Sequence, residues 1–170
     1  MIPTSPACNA YAIALRAGTR RPAKSDIIKT MKWYFASRIR HREKLIDISE
    51  FLRNKGEIIN SQWIYKESLK PYDQNISKVR SFSKEFIASL LDSDIFVLIS
   101  DPEGTDMFIE LGVCVAKNTL SNNIRIYIVG EHSKRSLMQL HPSIIHAHNL
   151  KEVFKLEKIE VTGFNIPSID

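Results

Sequence analysis

Asp92-Ser93-Asp94-Ile95-Phe96-Val97-Leu98-Ile99-Ser100-Asp101-Pro102-Glu103-Gly104-Thr105-Asp106-Met107-Phe108-Ile109-Glu110-Leu111-Gly112 is the stretch that decides the fold. Residues 95–100 (IFVLIS) form an unbroken apolar run of strand length, the pattern of a central parallel strand covered on both faces. The polar turn DPEGTD follows, and apolar spacing from about Met107 to Lys117 then predicts a helix with Thr105 or Asp106 as its N-cap. A buried strand that passes through a short glycine-containing turn into a helix is part of a β-α-β unit.

Working outward, the same alternation repeats. Residues 32–36 (KWYFA) predict a strand, and His41 to Asn54 a helix with Leu45, Ile48, Ser49 and Leu52 on one face and Gly56 closing it. Residues 57–61 (EIINS) predict a second strand. A loop holding Trp63, Tyr65, Pro71 and Tyr72 leads to a helix from Asn75 to Leu91, where Val79, Phe82, Phe86 and Leu90 recur at spacings of three and four. Beyond the central stretch, residues 124–129 (IRIYIV) predict a strand ended by Gly130. A short helix over Ser133 to Leu140 is stopped by Pro142, a fifth strand covers 144–148 (IIHAH), and a last helix starts over Leu150 to Phe154. This order predicts a single-domain α/β fold of the Rossmann or flavodoxin-like kind: a parallel five-stranded sheet with helices on both faces and right-handed crossovers. Ligands in such sheets bind beyond the carboxyl ends of the strands, where strand order reverses. The loops after the first and third strands are therefore the places to look for chemistry.

At 170 residues, 44% hydrophobic and 25% charged, the chain has the size and composition of one ordinary globular domain. The domain is expected over 31–156, with residues 1–30 as a flexible leader or extension and 157–170 as a C-terminal tail. The leader mixes Pro3, Pro6, Gly18 and Pro22, is rich in arginine and poor in acids, and ends at Met31, a credible translation start. An upstream start, a mobile extension and a transit peptide all fit it. Asp92, Asp94 and Asp101 interrupt the most apolar region, so no membrane span is expected. Cys8 and Cys114 alone make no disulfide framework and suit a reducing, cytoplasmic compartment. The net charge is +5, yet Arg16, Arg20, Arg21, Lys24 and Lys29 against Asp26 place most of it in the leader. The body is close to neutral, which removes the main support for a nucleic-acid partner.

Glu110 carries the chemical interest of the central stretch. On the first turn or so of a helix, free backbone N–H groups and the dipole favour an ionised carboxylate, the form that attacks an anomeric carbon. An acidic residue there also stabilises the helix with no catalytic role, and Gly112 can serve simply to let a helix approach a sheet, so both readings of each stay open.

The pattern of an aspartate, an apolar strand, a Gly-Thr turn and Glu-Leu-Gly, here Asp92 to Gly112, resembles the active-site segment of nucleoside 2-deoxyribosyltransferases and the related deoxynucleoside 5′-monophosphate N-glycosidases. Residues 34–40 (YFASRIR) resemble that family's substrate loop, and the resemblance runs from about Met31 to Phe154. It implies Glu110 as the nucleophile that forms a glycosyl-enzyme intermediate, released by water in a hydrolase or by a second base in a transferase. It implies Tyr34 orienting the nucleophile or sugar, and Ser37, Arg38 and Arg40, with Gly104 and Thr105, around the substrate. Ser37 and Arg40 would contact a 5′-phosphate if one is present. It also implies a homo-oligomer, a nucleoside or nucleotide as small-molecule partner, and no cofactor. One departure concerns the leaving-group acid: where the family has an aspartate in the helix before the third strand, this chain has Phe86 with Glu85 beside it. Adjacent helix positions point about 100° apart, so Glu85 is no simple substitute. Asp101 and Asp106 are the other acids available, Asp106 equally readable as a cap.

His141, His146 and His148 lack a third partner at zinc-site spacing, so no metal is expected. Trp63, Tyr65 and Tyr72 can stack on a nucleobase or pack a loop edge. No P-loop, GxGxxG, GxSxG or CxxC occurs. Two further readings stand beside the enzyme: a non-catalytic nucleotide-binding or sensing module, and a glutamate-dependent NAD glycohydrolase of the TIR type.

Overall fold

Period-two alternation along the central strands builds two separate cores, one on each face of a sheet. The computed structural model describes residues 30–169; apart from Thr30, the expected leader, with Cys8, lies outside them. Five strands, β1 (Lys32–Ala36), β2 (Ile58–Ile59), β3 (Ile95–Ile99), β4 (Arg125–Val129) and β5 (Ile144–Ala147), pair in parallel in the order β2-β1-β3-β4-β5. The helices are α1 (Arg42–Asn54), α2 (Ile76–Leu91), α3 (Asp106–Ser121) and α4 (Leu150–Leu156). This is the doubly wound plan, with its switch point between β1 and β3.

On one face Trp33, Phe35, Ile95, Val97, Ile99, Tyr127 and Val129 pack against α1 and α4 through Leu45, Ile48, Leu52, Val153 and Phe154. On the other, Tyr34, Ala36, Phe96, Leu98, Ile126 and Ile128 meet Leu90 of α2 and Met107, Leu111, Cys114 and Val115 of α3. The parity of β1 thus sends Tyr34 toward α3, and that places the site. Cys114, a free thiol, is buried in this second core.

Several elements differ from the sequence expectation. β2 is two residues, not five: the Glu57 N–H is taken by the Leu52 carbonyl at the end of α1 (3.0 Å), and the chain turns after Asn60, whose carbonyl accepts from the Gln62 N–H (2.8 Å). The Glu57 side chain accepts from the Met31 N–H (2.8 Å) and the Trp33 indole (3.1 Å). The helix expected over 133–140 is a run of turns ending in a 3₁₀ turn at Met138–Leu140. Buried Gln139 accepts from the N–H groups of Arg135 (2.7 Å) and Ser136 (2.9 Å) and donates to the His132 carbonyl, a local alternative to helical bonding. α3 runs one turn past Lys117, to Asn122 in a left-handed conformation. On α2 Leu90 is buried, while Val79, Phe82 and Phe86 are half-buried. Residues 159–169, which show no periodic element, pack on the first core through Ile159, Val161, Phe164, Ile166 and Ile169. Phe164 stacks on Phe51 with ring centroids 4.1 Å apart. Among the described residues no helix is long and apolar enough to cross a membrane.

Candidate active site

The loops leaving β1 and β3 meet at the switch point, and α3 carries Glu110 to the same place. The Tyr34 hydroxyl donates to Glu110 Oε1 at 2.7 Å. Tyr34 is fully buried and stacked on Phe96 (6.1 Å between centroids), so the phenol that holds the carboxylate is itself fixed by the core. Glu110 lies in the second turn of α3, not the first. Its backbone N–H is therefore already inside the helical ladder, and the free N–H groups at the helix start are a turn away. Burial dominates its ionisation: the carboxyl is pushed up to about 7, against the hydrogen bond from Tyr34, which lowers it, and with a smaller push from the charge of Asp106. The expectation of a carboxylate kept ionised by the helix dipole is corrected accordingly. At neutral pH Glu110 is poised between its two forms. The same burial, with Glu110 next to it, drives the Tyr34 phenol far above its ordinary value, so it acts as a donor and not as a base.

Asp106 sits at the first position of α3, four residues before Glu110 and on the same helical face. Thr105 occupies the N-cap position without making a side-chain cap bond. Asp106 Oδ2 instead accepts from the Tyr72 hydroxyl at 3.0 Å, which brings the loop after β2 to the site. Burial most of all, then the bond to Asp106 and the charge of Glu110, raise the Tyr72 phenol above its ordinary value. Sequence periodicity gives no signal for this contact; the one cue is an aromatic residue following Pro71 in a long loop. Trp63, from the same connection, donates its indole N–H to the Phe35 carbonyl at 2.7 Å, at the end of β1.

The residues expected around the substrate are also brought together, and they bind one another. Asp101, buried at the end of β3, has Oδ2 2.7 Å from Arg40 Nη2 and 3.9 Å from His41 Nε2. Asp101 Oδ1 accepts from the Glu103 N–H at 3.0 Å, which shapes the turn. Arg38 Nη1 lies 3.3 Å from Glu103 Oε2, and Ser37 Oγ donates to the Arg38 carbonyl at 3.2 Å. Gly104 has φ +131, and a Cβ there would stand 2.8 Å from the Met107 sulfur. Gly112 is different: a Cβ would meet nothing within 4 Å, so it serves no close approach to the sheet. Gly130 holds the neighbouring loop against β3, where a Cβ would fall 2.7 Å from Ser100 Oγ.

Glu85 pairs with Lys66, whose ammonium also lies 4.1 Å from the centre of the Phe82 ring. His141 Nδ1 lies 2.8 Å from Ser143 Oγ, and among the described residues no group of three or more His, Cys, Asp or Glu is placed to hold a metal ion. A cavity of about 260 Å³ lined by Met31, Trp33, Glu57 and Glu157 is at the far, amino-terminal end of the strands. Of its three carboxylates, Glu57 is engaged as above, Glu157 by Arg125 (2.6 Å) and Tyr127 (2.5 Å), and Glu160 by the Thr162 hydroxyl (3.0 Å).

Fold and site together define a doubly wound parallel α/β protein with a phenol-held carboxylate at its switch point. No family model and no curated protein matches the sequence. Among solved structures the chain is similar to the CMP N-glycosidase BcmB of Clostridium botulinum, at 15% identity and a TM-score of 0.48, over 76% of this chain and 99% of that one.

Proposed function

We propose that this chain cleaves or transfers the N-glycosidic bond of a (deoxy)nucleoside or nucleoside 5′-monophosphate, with Glu110 as nucleophile. The observation that carries the reading is the 2.7 Å hydrogen bond from buried Tyr34 to Glu110 at the switch point, around a carboxyl titrating near 7. A carboxylate with one oxygen held by a fixed phenol keeps the other oriented for attack. In the step, the ionised Glu110 bonds to the anomeric carbon and the bond to the base nitrogen breaks. Its electron pair leaves with the base, which takes a proton. Water or a second base then attacks the same carbon and frees Glu110. A retaining mechanism uses a second carboxyl group about 5–5.5 Å from the first. Asp106, one turn before Glu110 on the same face of α3 and near enough for its charge to act on that carboxyl, is the acid assigned to this role. Asp101 is the weaker choice, being held by Arg40.

One observation favours a non-catalytic nucleotide-binding module: Glu85, the acid nearest the place of the family's aspartate, is engaged by Lys66. Purified protein incubated with nucleosides, their 5′-monophosphates and NAD, with and without added free base, decides between the two. Base released by the wild type and not by Glu110→Gln supports the enzyme, and a newly formed nucleoside makes it a transferase. Saturable binding with no base released, at enzyme concentrations near those of substrate, moves the reading to the module. Release of nicotinamide alone moves it to an NAD glycohydrolase.

A further inference from the structure

The loop after β1 offers two arginines and a serine, a good set for a phosphate, and all three are already engaged inside the protein. Arg40 is 2.7 Å from Asp101, Arg38 is 3.3 Å from Glu103, and Ser37 donates to the Arg38 carbonyl. The two pairs differ in kind. The Asp101 side chain is only 2% exposed, so drawing Arg40 away would leave a buried carboxylate short of its cation. The Glu103 side chain is 77% exposed, and its hold on Arg38 is the weak hold of a surface pair. Taken with Asp106, the three carboxylates outnumber the two arginines even before the half-ionised Glu110 is added, so an arriving phosphate dianion meets like charge and cations whose charge is already offset.

We infer that Asp101 and Glu103 are specificity-determining residues: by holding Arg40 and Arg38 they withdraw both arginines from a 5′-phosphate and leave the site to nucleosides that lack one. This rests on the N-glycosidic reading of Glu110 and narrows it. Arg40 then clamps the two loops across the switch point, and Arg38, its charge offset by Glu103, adds little attraction for a substrate anion. Glu103 touches no reacting atom and acts only through Arg38.

The test compares kcat/KM for one nucleoside and its own 5′-monophosphate, in wild type and in Glu103→Gln. Both are measured on one preparation of each protein, so any loss of folded material cancels in the ratio. The wild type should prefer the nucleoside by about tenfold or more, as like-charge repulsion requires. Glu103→Gln should narrow that preference about two- to fivefold, the worth of an exposed ion pair, through a lower KM for the monophosphate. Added salt should narrow the wild-type preference as well. Equal or better use of the monophosphate by wild type overturns the inference, and so does a ratio unmoved in Glu103→Gln. Equilibrium binding of the same two compounds to Glu110→Gln reads the preference without turnover. Absence of base release therefore sinks the N-glycosidic reading, whereas tighter binding of the monophosphate sinks the charge filter.

Discussion

Replacing Tyr34 by phenylalanine isolates the contact on which the chemistry turns. The ring keeps its fully buried place beside Phe96, and only the hydroxyl 2.7 Å from Glu110 is lost. A hydrogen bond to a charged group is worth about 1.5–3 kcal/mol. At about 1.4 kcal/mol per pH unit, that corresponds to a change of about 1–2 pH units. The sign follows from the cause: the Tyr34 bond lowers the Glu110 value, so its removal lifts the carboxyl further above about 7. The ionised share at pH 7 then falls from about half to about one part in ten or a hundred, and turnover at pH 7 drops about 5- to 50-fold. The rate should recover at higher pH, which a merely misfolded variant cannot do. The assay is the pH profile of kcat/KM for base release. An acid limb that stays in place, or moves to lower pH, refutes the account of Glu110.

Other outcomes follow from the same geometry. Because burial raises the folded value of Glu110 from its ordinary 4.5 to about 7, its protonated form stabilises the native state fully below pH 4.5, and that contribution is lost as pH rises through 7. Glu110→Gln, which cannot ionise, should match wild type near pH 4 and exceed it at pH 8 by up to about 3 kcal/mol, read by urea denaturation. Gly104→Ala puts a side chain at φ +131 and against Met107, so it should cost about 1–3 kcal/mol and displace the β3 loop, measured by the same titration. Phe164→Ala removes the ring stacked on Phe51 and should cost about 2 kcal/mol, seen as a lower Tm.

The sheet and its helices were readable because continuous or alternating apolar runs have few other places to go. Residues 95–99 are buried throughout, and Leu45, Ile48 and Leu52 do form the inner face of α1. Other partners for the backbone defeat periodicity, as the Gln139 side chain does over 133–140 and the Leu52 carbonyl at the end of α1 does for the Glu57 N–H before β2. The Tyr34–Glu110 pair was accessible in part: resemblance pointed to both residues, and strand parity explains why they meet. Periodicity offered no sign of the contacts made across distant loops. Tyr72 reaches Asp106 over 34 positions, and Arg38 reaches Glu103 over 65, distances along the chain that no local pattern spans. The last residues carry no regular period, yet Ile159, Val161, Phe164 and Ile166 bury against the first core as an irregular strap.

The most direct measurement is to trap the intermediate. The protein is incubated with a nucleoside whose 2′-fluorine slows the second step, quenched in acid, digested and analysed by mass spectrometry. A fluorosugar on the peptide containing Glu110, at Glu110 itself and absent in Glu110→Gln, is the result this account predicts. Base release without any adduct on that peptide, or with the adduct on another residue, contradicts Glu110 as the nucleophile.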